Sequence, residues 1–343
     1  MFSDITKDRF RNFKMIRRAY ISLWILGLAF VFSLFSELFV GSRPLYINYG
    51  GKSYFPIVNF YPATEFGGEY KTEADYQKLA EDQNFKKDGN YIVFPFFPHD
   101  PLYHYLDIEG SPPHRPSADH WLGTDASGRD ILSRLIYGFR ISMLFALSLV
   151  LISAILGIVI GGVQGYAGGH VDIVVQRIIE IWSSLPFLYV VMLIGSIFGR
   201  SFGILLFVMG IFSWIGLSYY MRGEFLKIKE MTFVRAARAL GVGRVRIFLN
   251  HILPNALTPV ITILPFTLIG GIGSLTALDF LGFGFPPPTP SWGEMMKQGL
   301  DNLYAPWIAV SSTAALFITL LLATFIGEGV REAFDPRTDQ HFE

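Results

Sequence analysis

The chain contains no cysteine. That excludes disulfides, thiolate metal sites and cysteine nucleophiles, and leaves the redox compartment undetermined. Charge is scarce as well: Asp, Glu, Lys and Arg make up 16% of the 343 residues, against about 25% in a typical soluble domain. Neither sign is in excess, because 28 basic and 28 acidic side chains cancel. No global basic field attracts nucleic acid, and no acidic surplus marks a disordered solvating chain. HExxH does not occur, so a membrane-embedded hydrolase finds no zinc motif. Gly51, Lys52 and Ser53 imitate the end of a phosphate-binding loop, but Tyr46 stands where that loop needs its first glycine. The chain is not expected to hydrolyse ATP by itself or to be an enzyme.

What the sequence does have is apolar surface. Residues of apolar type make up 51% of it, aromatics 16%, and the mean hydropathy is +0.40. A hydrocarbon core about 30 Å thick needs roughly 20 apolar helical residues to cross it. Six uncharged runs qualify, at 19–36, 141–163, 181–199, 201–221, 252–278 and 302–327. Lys7, Arg9, Arg11, Lys14, Arg17 and Arg18 precede the first run. That run exceeds the core of a signal peptide (about 7–15 residues) and has no small-residue cleavage pattern after it, so it reads as a retained anchor. The positive-inside rule puts both termini in the cytoplasm. The loop after the fourth run agrees, since Arg222, Lys227, Lys229, Arg235, Arg238, Arg244 and Arg246 face only Glu224 and Glu230. The expected fold class is an all-α integral membrane protein with six transmembrane helices. Its parts are a cytoplasmic segment 1–18, a first anchor helix 19–40, a periplasmic insert 41–138, a five-helix membrane domain 139–330 with a cytoplasmic loop at 222–257, and a cytoplasmic tail 331–343. The insert is rich in proline, glycine and aromatics, which predicts a small ordered cap of short strands and turns, with a weak helix at 72–84.

Several patterns invite local readings. Ile131, Leu132, Leu135, Ile136 and Phe139 interleave with Arg129, Asp130, Arg134 and Arg140, which predicts an amphipathic helix over 122–140 lying on the outer interface. Gly157, Gly161 and Gly165 recur every fourth residue and line one helix face for close approach of another. Pro265 with Gly270, Gly271 and Gly273 loosens the fifth run, as a hinge or for close packing. Glu180 and Asp279 sit near run ends and read as solvated helix termini. A substrate path is best sought in Trp182, Ser183, Ser184, Ser213, Trp214, Ser218 and Tyr219, which offer hydrogen bonds and stacking without fixed charge. His99, His104, His114 and His120 cluster in sequence, but their spacings match no compact metal site, and no metal is expected. In the cytoplasmic loop, Ala236, Ala237 and Ala239 make a small-faced helix, Gly241 a left-handed helix end, and Pro254 a restart. Together they form a rigid knob; an ordinary interfacial loop is the plainer alternative.

That loop resembles the EAA loop by which importer permeases of the ATP-binding cassette (ABC) class dock onto their ATPases. Ala236, Ala237, Gly241, Leu253 and Pro254 match it, while Arg235 replaces its usual Glu and His251 its usual Ile. Other segments resemble the C-type permeases of the dipeptide, oligopeptide and nickel importer group. These are Leu122, Gly123, Thr124, Asp125, Gly128, Arg129, Asp130, Ser133 and Arg134 before the second run; Gly165, Tyr166, Gly168 and Gly169 after it; Phe280, Leu281, Gly282, Phe283, Gly284, Pro290, Ser291, Trp292 and Gly293 after the fifth; and Gly327, Glu328, Arg331, Asp335, Pro336 and Arg337 at the end. The long aromatic insert is a feature of the Yej-type branch, whose importers take up peptides and microcin C-like conjugates. The resemblance implies the type I importer fold and a heterodimer with a second homologous permease. It also implies ABC ATPase subunits docked through Arg235–Pro254, which use ATP and Mg while this chain binds no cofactor. A periplasmic solute-binding protein would deliver peptide to an outer mouth framed by the Gly123–Asp130 and Gly282–Gly293 motifs. The location would be the inner membrane, with lipid as neighbour and no nucleic acid. A dipeptide or nickel permease is the nearest alternative, and a passive channel or structural membrane subunit the next.

Overall fold

The computed structural model describes residues 4–87 and 89–334; Asp335, Pro336 and Arg337 of the closing motif lie outside them. Helices α1 (Asp4–Met15) and α2 (Arg17–Leu34) open the chain. Strands β1 (Tyr46–Tyr49), β2 (Lys52–Tyr54) and β3 (Tyr91–Val93) follow, with α3 (Tyr76–Glu81) and α4 (Gln83–Lys87) between the last two. Then come α5 (Ile131–Ala167), α6 (Gly169–Ser183), α7 (Phe187–Phe198), α8 (Phe202–Ile228), α9 (Thr232–Ala239) and α10 (Arg244–Arg246). A π-helical turn over Ile247–Ile252 leads into α11 (Leu253–Phe280), and α12 (Trp292–Asp301) and α13 (Pro306–Ala333) complete the described chain. The residues fall into two compact units. The first comprises residues up to 27, 142–286 and from 316 onward; the second comprises 28–141 and 287–315.

Among the described residues, five helices are long and apolar enough to cross a membrane: α2, α5, α8, the α10–α11 stretch and α13. The expected straight span at 181–199 is instead broken, because α6 and α7 meet at a 72° bend. Pro186 precedes α7 and lacks the N–H that would continue α6, while Leu185, just before a proline, is pushed out of helical conformation. Contacts within the first unit decide whether the bent pair crosses. Ala19, at the start of α2, packs with Phe13 and Ala333, and Arg18 lies 3.5 Å from Glu328 near the end of α13. The first span thus begins where the last one ends, which requires an even number of crossings. Gly165, late in α5, touches the Arg222 backbone late in α8, and Asp172 at the start of α6 holds the Arg222 guanidinium at 2.5 and 2.7 Å. Helices α5 and α8 therefore end on the same side, and the α6–α7 pair must cross between them. With the bent pair counted as one span, the spans among the described residues number six.

The α5–α8 contact rests on the glycine stripe. A Cβ at Gly157 would meet Leu217 at 2.8 Å, one at Gly161 would collide with the Ser218 carbonyl, and one at Gly165 would lie 2.6 Å from the Arg222 carbonyl. The two helix backbones touch at Gly161 and Gly165, the Leu217 side chain lies on the α5 backbone at Gly157, and hydrogen alone fits at all three. Gly271 of α11 packs similarly on Ala146 and Leu149, whereas Gly270 and Gly273 face open space. Close packing therefore explains Gly271 but not its neighbours. Helix α11 runs unbroken through Pro259 and Pro265, and Pro254 sits in its first turn instead of restarting the chain.

In the second unit, β1 pairs antiparallel with β2 and β3, so that Ile47 lies between Tyr54 and Ile92. Gly50 and Gly51 take φ of 56° and 76° at the β1–β2 turn, the two positive values a tight type I′ hairpin demands. The Gly-Lys-Ser triplet is thus the tip of a hairpin. Ile47, Phe66, Ala74, Tyr76 and Phe85 form a small core, with Tyr49, Tyr54 and Tyr61 packed around it. These rings explain the aromatic content of the segment: a sheet this small closes only with large side chains.

Replacing Gly161 by Ala should destabilise the purified protein by about 1–3 kcal/mol, the usual cost of overpacking where backbone cannot yield. Gly223→Ala, whose Cβ meets nothing within 4 Å, should be neutral or slightly stabilising. Thermal melts of the two variants in the same detergent make the comparison, and equal midpoints would show that the α5–α8 contact is looser than described.

Candidate functional site

The loop after α8 is built outward from a core. Val234 and Ala237 of α9 join Leu217, Met221 and Phe225 of α8, Ile247 and Ile252 of the π turn, and Ala256 and Val260 of α11. Helix α9 is thereby clamped to two spans on one face. Its other face is free: Arg235 and Ala236 are exposed, and Leu240 and Val245 are 83% and 72% exposed. Gly241 takes φ +77° with nothing near a notional Cβ, and its N–H donates to the Arg238 carbonyl at 3.1 Å. The glycine serves as a left-handed helix stop, not as a close-approach surface. His251 and Leu253 are half-buried and Pro254 is exposed. Of the residues singled out from sequence, Ala237 belongs to the internal clamp. Leu240 stands within the sequence pattern that ends at Gly241 but is not among the residues singled out, and neither is Val245; an apolar residue just before a helix-stopping glycine in a basic loop is a usable signal.

Elsewhere in the first unit, a cavity of about 310 Å³ is lined by Leu149, Phe187, Met209, Phe212, Ser213 and Ser274, among others. Ser213 is the one member of the sequence-derived path that lines it. The Trp182 and Trp214 indoles both donate to the Ile211 carbonyl, at 3.0 and 2.9 Å, and Trp182 packs on Phe212. Ser183 and Ser184 donate to Ile179 and Ile181 carbonyls one turn earlier. The serine hydroxyls thus meet carbonyls of α6 just before the bend, and the two indoles meet one carbonyl of α8, so these four donors are satisfied by backbone within the hydrocarbon. Gly282 and Gly284 lie just beyond α11 around Asp279. That carboxylate is buried, not a solvated helix end: its Oδ1 accepts from Phe285 N at 2.7 Å, and only glycine fits against it at 284. Glu180 is exposed and paired with Arg177 at 2.6 Å.

The second unit holds a buried charge network. The segment before α5 is a loop through Asp130, and α5 itself continues to Ala167, so no separate interfacial helix covers 122–140. Asp125, Asp130, Arg129 and Arg134 are all buried. Asp125 accepts from the Ser127 and Arg129 N–H groups at 2.9 and 3.0 Å and from Arg129 Nε at 2.8 Å. Arg129 reaches Glu294 Oε1 at 3.0 Å, and Arg134 bonds Glu294 Oε2. Arg134 also donates to the Pro101 carbonyl at 3.2 Å, while its Nε lies 3.4 Å from Asp125 Oδ2, an ion-pair but not a hydrogen-bonding contact. Burial disfavours the Arg129 charge, but Asp125 and Glu294 outweigh it and raise its pKa. Ser291 caps α12 through Glu294 N, and the buried Trp292 indole donates to the Leu135 carbonyl at 3.1 Å. Gly123 and Gly128 take positive φ, and a Cβ on Gly123 would meet the His114 carbonyl at 2.6 Å. Thr124 is buried, and its hydroxyl accepts from His114 N at 2.8 Å. Gly293 is buried within α12. Two sequence motifs far apart in the chain thus close on each other through Glu294.

The histidines divide. His120 Nδ1 meets Asp130 Oδ2 at 2.8 Å, and the His99 ring lies tilted against that of His120 with centroids 4.4 Å apart. Burial pulls the His99 pKa down. His104 bonds the Ser127 carbonyl instead. Ser133 lies beside this pair, but its hydroxyl donates to the His99 carbonyl at 2.9 Å and not to an imidazole. The Ser, His and Asp here do not form a nucleophilic relay.

The family model for binding-protein-dependent transport system inner membrane components matches residues 153–340, more than half of the chain. The chain belongs to this family. It is an inner-membrane permease subunit of an ABC importer, a transporter component. It is similar along nearly its whole length to the peptidoglycan transport system permease protein YejE of Agrobacterium fabrum: 41% identity, covering 98% of this chain and 94% of the relative. The inner membrane ABC transporter permease protein YejE of Escherichia coli is 42% identical, with 97% and 98% covered. The oligopeptide transport system permease protein OppC of Haemophilus influenzae is 38% identical over 64% of this chain and 70% of its own. Among solved structures, an inward-facing MetNI methionine transporter matches with TM-score 0.47 and 16% identity, covering 59% of this chain and 97% of that one. That likeness is too slight to argue from.

Arg134→Met should leave Arg129 as the one guanidinium between the buried Asp125 and the half-buried Glu294, put a surplus negative charge in the network and cost the permease about 3 kcal/mol. Adding Glu294→Gln removes that surplus charge and leaves the Arg129–Asp125 pair, so the double variant should melt above the single one. A double variant that melts at or below Arg134→Met would show that the pair is not energetically coupled.

Proposed function

We propose that this permease forms half of the translocation pathway of an ATP-driven importer for peptides, in the Yej-type branch, and that α9 with the turn after it is the surface an ATPase grips. The carrying observation is the clamped helix with an unclamped apolar tip. Val234 and Ala237 fix α9 to α8 and α11, while Leu240 and Val245 stand out into solvent beside Arg235 and Ala236. An exposed apolar pair on a rigid mount is costly without a partner and suits insertion into a groove on another protein. The basic loop supports a cytoplasmic position for this surface and for both termini.

The peptide cargo rests on what the relatives are named for, peptidoglycan and oligopeptide transport, and on the aromatic insert. A second homologous permease supplies the other half of the path, a solute-binding protein delivers at the outer mouth, and the partner ATPase uses ATP and Mg while this chain binds neither. Nucleotide-driven closure of the ATPase pair moves α9, and because α9 shares a core with α8 and α11, those spans move with it. The cavity at Ser213 and Phe212, next to the α6–α7 bend, is the preferred stretch of path. Gly123–Asp130 and Trp292–Gly293 belong to the rigid frame of the mouth, not to the substrate contact.

Leu240→Asp tests the docking role without touching the fold, since the side chain is almost wholly exposed. The variant should insert and melt like the parent but lose the ATPase on gentle purification, with peptide uptake at background. Retention of ATPase and uptake by a correctly inserted Leu240→Asp protein would overturn the coupling assignment. Gly241→Val is a poorer probe, because a β-branched residue at φ +77° strains the turn itself.

A further inference from the structure

The second unit contains a cavity of about 420 Å³ that neither the permease fold nor the docking loop uses. Its wall includes Glu37, Arg43, Glu73, Asp75, Tyr76 and Asp100, four carboxylates to one guanidinium. Some of this charge is met locally. Arg43 bonds Glu73 Oε2 at 2.8 Å, Arg140 bonds Glu37 Oε1 at 2.6 Å, and Lys78 lies 3.4 Å from Asp75. Asp100 receives the Leu102 N–H at 2.7 Å and the Ser42 hydroxyl at 3.5 Å; among the described residues no cation lies within ion-pair distance of it.

Two buried polar atoms belonging to wall residues are left without a hydrogen-bond partner. Tyr76 is 4% exposed, with its ring in the core beside Ile47 and Phe66, and its hydroxyl has none. Glu73 Oε1 has none either. A buried carboxylate oxygen and a buried phenol left this way are unfavourable, so native proteins seldom leave them unmet. Burial and the Glu73 charge push the Tyr76 phenol up to about 12, so at neutral pH it is protonated and presents lone pairs to a donor. The group that would satisfy this wall is a cation rich in N–H donors. Tyr103 and Tyr137 also line the cavity, and their rings suit an organic cation. The volume falls within the range of small-molecule sites, about 300–1,000 Å³.

We propose that this cavity binds a small organic cation through its ammonium group, with Glu73 and Asp100 supplying the negative charge and the Tyr76 hydroxyl accepting a hydrogen bond. The proposal goes beyond the permease assignment and does not depend on it: the site would bind whether or not an ATPase docks, so failure of one leaves the other standing.

Calorimetric titration of the complete permease complex in lipid nanodiscs tests it. The probes are trialanine amide, which carries one ammonium and no carboxylate, and its N-acetylated form. The free amine should bind saturably, and the acetylated peptide about tenfold or more weaker, as expected for loss of a charge-assisted hydrogen bond. Tyr76→Phe keeps the ring in the core and removes only the hydroxyl; Asp100→Asn removes only charge. Each should weaken the free amine several-fold and leave the acetylated peptide unaffected, with melting temperatures near that of the parent. Absence of saturable binding, equal binding of the two peptides, or unchanged affinity in both variants would overturn the proposal; the first of these would assign the cavity to solvent alone.

Discussion

Much of the first unit follows from two helix backbones lying in contact. Gly157, Gly161 and Gly165 remove every side chain from one face of α5, and α8 settles onto that face from Leu217 to Phe225. In hydrocarbon there is no hydrophobic drive between helices, so close dispersion contact is what associates them. Once α5 and α8 are parallel and touching, the α6–α7 pair has to return the chain across the membrane. Arg222 sits where it can take Asp172, and Phe225 sits where it can receive Val234 and Ala237 of α9. The placement of the exposed Leu240 thus traces back to glycines in another helix.

The second unit depends on the opposite kind of contact. Asp125, Arg129, Arg134 and Glu294 are drawn together out of water, which is expensive, and their mutual pairing with added backbone donors offsets that cost. Hydrophobic packing of similar volume would hold as well, so the network's contribution is better described as register. A bidentate carboxylate between two guanidiniums accepts one arrangement of the α12 start against the loop and the head of α5. Trp292 and Gly138 make the same demand sterically, since a Cβ at Gly138 would lie 3.0 Å from the indole.

How much of this was legible from sequence varied with the physical signal. Long apolar runs announced the spans, because hydrocarbon thickness fixes their length. The bend within the run at 181–199 was less legible: Pro186 was visible, but an apolar run records lipid exposure and not helix continuity. The charges at 129–134 were read as a wet face because amphipathic spacing looks the same whether the polar side meets water or Glu294, a residue more than 150 positions away. Asp279 was misread for a related reason. A carboxylate at a helix end is normally solvated, and only the return of Gly284 and Phe285 over it shows otherwise. The tryptophans and serines of the supposed path were recognised as polar groups in spans, but whether such groups face a ligand or their own backbone is a matter of rotamer and bend.

That last distinction bears on how a peptide would pass. A path lined by hydroxyls already bonded to their own helix offers weak, sequence-tolerant contacts, and backbone carbonyls such as that of Ile211 are already engaged by two indoles. Tight recognition would slow release, since a group held by several well-aligned hydrogen bonds leaves only when all are broken. A permeation route therefore benefits from having its donors spent internally. On the proposed function, selectivity would reside where the solute is first captured, and the membrane unit would contribute shape and movement. The α6–α7 bend fits that division of labour. It places Phe187 and Phe212, both in the cavity lining, in edge contact at 5.5 Å; a shift of α8 against α6 would cost the Trp182–Ile211 hydrogen bond and the Arg222–Asp172 pair, so a movement that keeps them carries α6 along with α8.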